Sequence, residues 1–173
     1  MDPIPVTISV VIGGVTYGIR AEVPSSLQVP VENKPLDLPL DSRVIIFGRE
    51  SVGPGDRDAN WLITPEGADS KGPYYKIKSR GGPAMQSGRS LIVPKLVNQL
   101  PLLGGAMEYW RLIPVGPGNQ YQIQSVENGW VWGVSMRGRG TGSVMVGRPD
   151  PSLIQVFTIK RVEFGGINDN RPN

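Results

Sequence analysis

One phrase occurs twice in this chain, and a shortened form of it a third time. Residues 60–77 read NWLITPEGADSKGPYYKI and residues 109–123 read YWRLIPVGPGNQYQI. Each holds a Trp, alternating apolar residues, a Pro/Gly turn and a Tyr-x-Ile pair. Near the C-terminus, Val156-Phe157-Thr158-Ile159-Lys160 keeps the aromatic anchor and the alternation. Trp61 and Trp110 are 49 positions apart, and Trp110 and Phe157 are 47 apart. A near-constant period of this size marks a repeat architecture, in which one unit cannot bury its own apolar face and stacked units can.

The remainder of each period divides into short segments of strand character. The first copy opens on Val6-Thr7-Ile8-Ser9-Val10 and offers GVTYGIRA, then ENKPLDL or RVIIFG, then NWLIT. The second offers YYKIKS, GRSLIVPKL and EYWRLI, and the third YQIQSV, GWVWGVS, GSVMVG and QVFTIKRV. Turn signals fall every eight to twelve residues or so, the spacing of an all-β domain. Four strands in each of three copies predict a β-trefoil of twelve strands in three pseudo-symmetric repeats. Six strands would close a short barrel and six would form hairpins over one end, which removes most free edges. The expected single domain covers residues 1–173, with repeats at roughly 5–66, 73–116 and 119–163 and a flexible tail at 164–173. Trp61, Trp110 and Phe157 should face the interior, with Ile63, Leu112 and Ile159 two residues along on the same face. An open β-sandwich accommodates the same strands and turns, but it requires no threefold period.

Composition agrees and narrows the chemistry. Gly (23) and Pro (17) among 173 residues are roughly twice the usual combined share of about 12%. That leaves little room for long helices. Cys and His are both absent, so the chain offers no disulfide, no thiolate and no imidazole. Catalysis by Ser-His-Asp or Cys-His sets is thereby excluded within this chain. The formal charge of +3 and the scattered basic residues do not point to nucleic acid. No apolar run approaches the roughly twenty residues of a membrane-spanning helix. The N-terminal MDPIPVTISVVIGG lacks a positive leader region and alternates with Thr and Ser, which predicts a strand rather than a secretion signal.

Several stretches invite a functional reading. Residues 22–39 carry Pro24, Pro30, Pro35 and Pro39, which favour extended geometry. Such a segment is either a rigid, substrate-like loop or a plain connection. Arg137-Gly138-Arg139-Gly140 is either a basic hairpin loop or a flexible turn. The acidic clusters at 53–58 and 66–72 do not match a calcium loop, and GGPAMQSGRS lacks the Lys of a phosphate loop. Neither metal nor cofactor is expected. Trp130 and Trp132 in NGWVWG suit either a sugar-stacking surface or the core. Gln155-Val156-Phe157 is one weakened echo of the Gln-x-Trp motif of ricin-type lectins, so carbohydrate binding stands as the alternative function.

Taken in order, YGIRAEVPSSL, NWLITPEG with YYKIKSRGGPA, YWRLIPVGPGNQYQI, and NGWVWGV with SVMVG resemble the fungal β-trefoil serine protease inhibitors of the basidiomycete mycospin group. The resemblance spans nearly the whole chain, and the mycocypins, which inhibit cysteine proteases, are related on the same fold. It implies binding without turnover: a preorganised loop enters a protease cleft in extended form and one side chain fills the S1 pocket. No enzymatic activity is implied. Group members that inhibit trypsin can carry an Arg in the loop between the second and third strands, where this chain has Ser25-Ser26-Leu27. The candidate protease-binding residues are Ser25, Ser26, Leu27, Gln28, Asn33 and Lys34. Leu27 suits a hydrophobic pocket and Asn33 an asparaginyl-specific one. Arg137 and Arg139 form the alternative reactive loop. The expected partner is a protease, a serine protease first and a cysteine or asparaginyl protease second. The protein itself is expected to be a cytoplasmic monomer of fungal defence, without nucleic-acid or membrane partners.

Overall fold

The computed structural model describes residues 2–22, 41–48, 60–79, 82–94, 96–97, 100–101, 108–138 and 141–162. Among these, alternation sets the strands. In β1 (Ile4–Ile12), Val6, Ile8 and Val10 are buried while Thr7 and Ser9 are half-exposed, the pattern of a sheet with one face on the core. The chain turns at Gly13 and Gly14, both at positive φ, into β2 (Val15–Ala21). There follow β3 (Asp41–Gly48), β4 (Asn60–Asp69), β5 (Gly72–Lys78), β6 (Met85–Ser87) and β7 (Ser90–Pro94). Two short strands, β8 (Leu96–Val97) and β9 (Leu100–Pro101), precede β10 (Trp110–Pro114), β11 (Gln120–Ser125), β12 (Val131–Gly138), β13 (Thr141–Gly147) and β14 (Phe157–Arg161). No helix forms among the described residues.

Six strands close on themselves. β1 pairs with β4 and β14, β4 with β5, β5 with β10, β10 with β11, and β11 with β14, all antiparallel. The remaining long strands form three hairpins: β2 with β3, β6 with β7, and β12 with β13. These hairpins join one another through β3–β7, β3–β13 and β7–β13. A closed ring with a three-hairpin layer replaces the open sandwich, and closure leaves the ring strands no free edge.

The expected strand number of twelve differs from the fourteen formed among the described residues. The difference is β8 and β9, which pair only with each other in a second sheet. Pro101 has no N–H with which to extend that ladder. Of the two alternatives for the third strand, RVIIFG is the one that forms β3, whereas ENKPLDL lies outside the described residues. The expected tail at 164–173 also lies outside them.

The core is organised around one indole. Trp61, Trp110 and Phe157 sit at or next to the start of ring strands, and all three are fully buried. Each rests against Trp132, with ring centroids at 6.2, 5.4 and 6.1 Å respectively. The Trp110 and Phe157 rings meet Trp132 edge-on, the arrangement that aromatic quadrupoles favour. Trp61 Nε1 donates to the Ile19 carbonyl at 3.0 Å, and Trp110 Nε1 to the Ala84 carbonyl at 3.1 Å. Each of these two anchors thereby ties a ring strand to the chain of a neighbouring hairpin. Phe157 has no such donor, and the buried Trp132 N–H finds no hydrogen-bond acceptor among the described residues. Ile63 and Ile159 are buried as expected, but Leu112 is only half-buried against the core.

Candidate functional site

Residues 23–40, which include Ser25, Ser26, Leu27, Gln28, Asn33 and Lys34, lie outside the described residues. The two stems that hold them are described. β2 and β3 run antiparallel with Ile19 opposite Ile46 and Ala21 opposite Val44. Beyond the last pair, Glu22 N–H donates to the Arg43 carbonyl at 2.7 Å. The Arg43 guanidinium closes the same gap from its side, donating to Glu22 Oε1 from Nε at 3.2 Å and from Nη2 at 2.9 Å. Further along the same two strands, the Arg20 guanidinium lies 4.8 Å from the centre of the Phe47 ring. On its other edge β3 is held by β7, with Asp41 opposite Pro94 and Arg43 opposite Ile92. The described residues on either side of 23–40 therefore lie on adjacent, mutually bonded strands.

The alternative reactive loop is built differently. Arg137 is exposed near the end of β12, and Arg139 lies outside the described residues. β12 and β13 stay in register from Val131 opposite Gly147 to Met136 opposite Gly142, then shift at a bulge before Gly138 opposite Thr141. Bulges of this kind re-aim the end of a hairpin. Gly142 is required there, because a Cβ on it would lie 2.7 Å from the Ser135 carbonyl oxygen.

The described bases of the two candidate loops can be placed on one strand pair. β13 pairs antiparallel with β3 through Ser143 opposite Ile45. Moving along β13 towards Thr141 thus runs along β3 towards Gly48, away from Asp41. Thr141 and Asp41, the described residues that border the two segments, therefore lie towards opposite ends of this strand pair.

Trp130 and Trp132 also separate. Trp132 is the centre of the core and is unavailable to any ligand. Trp130 precedes β12 and is half-buried. Val131 and Trp132 are both fully buried, so strict alternation fails where β12 begins. Gln155 is a structural brace. Its side-chain N–H donates to the Arg148 carbonyl at 2.9 Å, and its amide oxygen accepts from Asp150 N–H at 2.8 Å.

Two polar groupings were not legible as sites. Arg111 is buried and donates to the Gly72 carbonyl at 3.0 Å and to Asp69 Oδ2 at 2.6 Å. This contact and the Lys71 N–H on Asp69 Oδ1 hold the Asp69 carboxyl below its ordinary value of 3.8. Glu108 is buried with its carboxylate filled by Gln86 and Ser125 donors at 2.5 to 2.9 Å. Both groupings cross-link segments far apart in sequence, and their donors and acceptors are occupied by one another. No set of three acidic side chains that could hold a metal ion occurs among the described residues.

No protein-family model matches the chain, and no curated protein does. Solved structures do. A designed threefold-symmetric protein, ThreeFoil, superposes with a TM-score of 0.60 at 15% identity, over 90% of this chain and 97% of that one. A proteinase inhibitor from Coprinopsis cinerea gives 0.59 at 16% identity, over 94% and 99%. The Polyporus squamosus lectin, bound to a human-type influenza-binding epitope, gives 0.60 at 18%, over 93% of this chain and 50% of that one. What these proteins share with this chain is the β-trefoil fold. At such identities the likeness is one of architecture alone, and an inhibitor, a lectin and a designed protein all carry it.

Proposed function

We propose that this protein inhibits peptidases, serine proteases first, by inserting an exposed rigid segment into the protease active-site cleft. The observation that carries the reading is the clamp between Glu22 and Arg43, which ties together the paired strands on either side of residues 23–40. Fixing the ends of a segment lowers the ordering cost of presenting it to a cleft. The likeness to the Coprinopsis cinerea proteinase inhibitor, over nearly the full length of both chains, supports the reading at the level of fold. In this reading the chain is a monomeric, cytoplasmic β-trefoil of three repeats with no catalytic activity of its own. Ser25, Ser26, Leu27, Gln28, Asn33 and Lys34 supply the contact segment, and Arg137 with Arg139 supplies the alternative.

The test is inhibition of trypsin, chymotrypsin, subtilisin, papain and an asparaginyl protease. Micromolar or tighter inhibition of at least one is expected, with loss of that activity in Leu27→Gly or Asn33→Gly and an unchanged melting temperature. Loss in an Arg137→Ala variant instead would move the contact to the β12–β13 turn. Failure to inhibit any of the five at micromolar concentration would overturn the proposal.

A further inference from the structure

A second surface of the molecule has the build of a small-molecule site, and its residues differ from those proposed to contact a protease. A cleft of about 620 Å³ opens between the β12–β13 hairpin and the segment that follows β13. Its volume lies within the roughly 300–1,000 Å³ usual for ligand pockets. Trp130, Val134 and Met145 are half-buried along it and Leu153 stands exposed at its edge. Arg89 and Arg148 line the same cleft, and both are exposed. Neither guanidinium has an ion-pair partner among the described residues, in contrast to Arg43 and Arg111.

The walls are held before any ligand arrives. Gln155 bridges Arg148 and Asp150, Val134 N–H donates to the Ile154 carbonyl at 3.0 Å, and Val146 N–H to the Arg89 carbonyl at 2.7 Å. Gly133 lets the 154–155 backbone lie close to β12, since a Cβ there would come within 3.3 Å of the Ile154 oxygen. Among the described residues, Asp150 is the one acidic residue lining the cleft. Its Oδ1 is engaged by Ser152 N–H at 2.9 Å and Ser152 Oγ at 2.7 Å, and these bonds hold its carboxyl below the ordinary value. It remains charged at neutral pH but is bound into its own turn. Two free guanidiniums therefore outnumber one engaged carboxylate around an apolar wall that ends in an indole.

We propose that this cleft binds a small anionic ligand: a carboxylate or sulfate carried on a ring with an apolar face. The guanidiniums would take the anion through paired N–H donors, and the ring would lie against Trp130. Two sources present this chemistry, acidic saccharides and aromatic acids, and both are small enough for the cavity. The inference does not rest on the protease reading, because it uses none of the residues at 22–41 or at 137–139.

The protein carries its own reporter. Of the four Trp residues, Trp61, Trp110 and Trp132 are fully buried, so quenching of fluorescence by acrylamide reports mainly on Trp130. Intact protein would be titrated with a sulfated uronic-acid disaccharide, with naphthalene-2-sulfonate and with uncharged 2-naphthylmethanol, following quenching and calorimetric binding. Protection of Trp130 by at least one anion at submillimolar concentration is expected. So is at least tenfold weaker binding in the Arg89→Ala, Arg148→Ala double variant, with an unchanged melting temperature. Binding of the disaccharide alone assigns the site to acidic sugars, of the sulfonate alone to aromatic acids, and of both to the shared chemistry. Neither anion binding below about 1 mM would overturn the proposal. So would equal affinity for the uncharged alcohol, or affinity indifferent to the two arginines.

Discussion

The centre of the ring and the stem at Glu22–Arg43 are both points where distant segments are tied together, and they do so with opposite physics. At the centre, Trp132 touches Trp61, Trp110 and Phe157, and none of the four is exposed. Each aromatic removes about 150–250 Å² from water, worth an upper limit of about 4–6 kcal/mol apiece. At the stem, the Arg43 and Glu22 side chains are 51% and 39% exposed. An exposed ion pair contributes about 0.2–1 kcal/mol and weakens with salt. The lesson is a division of labour: the indole cluster holds the chain closed, while the stem only sets where a segment departs and returns.

The largest test of that division is Trp132→Ala. Emptying an aromatic site of this kind costs about 3–5 kcal/mol, which at about 2–4 °C per kcal/mol lowers the melting temperature by roughly 6–20 °C. Trp132→Phe should cost far less, because it keeps an aromatic body and removes a buried N–H that has no acceptor among the described residues. Thermal unfolding of both variants checks this, and equal losses would mean that the indole itself, rather than aromatic bulk, is what the site requires.

Next in size is Gly142→Ala, which sharpens the contrast within the hairpin layer. Its new methyl meets backbone at 2.7 Å, so β12 and β13 must shift, at about 1–3 kcal/mol in urea or thermal unfolding. An unaltered stability would show the bulge at Met136–Gly138 to be freely adjustable.

A smaller effect is expected from acid. The Arg111 guanidinium and the Lys71 N–H hold Asp69 below its ordinary value of 3.8, so the folded chain takes up this proton at lower pH than the unfolded chain. Its contribution is complete above about pH 4 and is lost as pH falls through the depressed folded value. Urea titrations between neutral pH and pH 2.5 should show a shallower acid loss in Asp69→Asn than in the parent. Parallel curves would remove Asp69 from the account.

The smallest change in stability belongs to Glu22→Ala and Arg43→Ala. A double-mutant cycle should give a coupling of about 0.2–1 kcal/mol, accompanied by weaker inhibition wherever the parent inhibits. A loss as large as that of Trp132→Ala would erase the distinction between centre and stem.

How much of this was legible beforehand differs by residue. Trp61, Trp110 and Phe157 announce themselves, because strand alternation and a near-constant spacing are local patterns that survive in one dimension. The role of Trp132 does not. Trp130 and Trp132 sit in the same six-residue phrase, yet one lines a cleft and the other fills the core. Which of them turns inward depends on where β12 enters the hairpin layer. The Arg111–Asp69 contact joins residues 42 apart, and neither residue carries a local mark of its partner. The stem is half-legible: GVTYGIRA reads as a strand and RVIIFG as one of two alternatives for the next, but the Glu22–Arg43 bond depends on their register. Of the proposed anion-binding cleft only Trp130 stood out beforehand, since Arg89, Trp130 and the Arg148–Leu153 segment come from three separate connections.

The sequence alone determined that the chain is built of short strands with recurrent aromatic anchors, and that it lacks imidazole and thiol chemistry. Those properties follow from residue type and from spacing along the chain. Tertiary structure alone decided which strands close the ring, which indole becomes its centre, and which arginines among the described residues are left without an ion-pair partner. Closure, burial and pairing are relations between residues far apart in sequence, and they acquire values only when the strand registers are set.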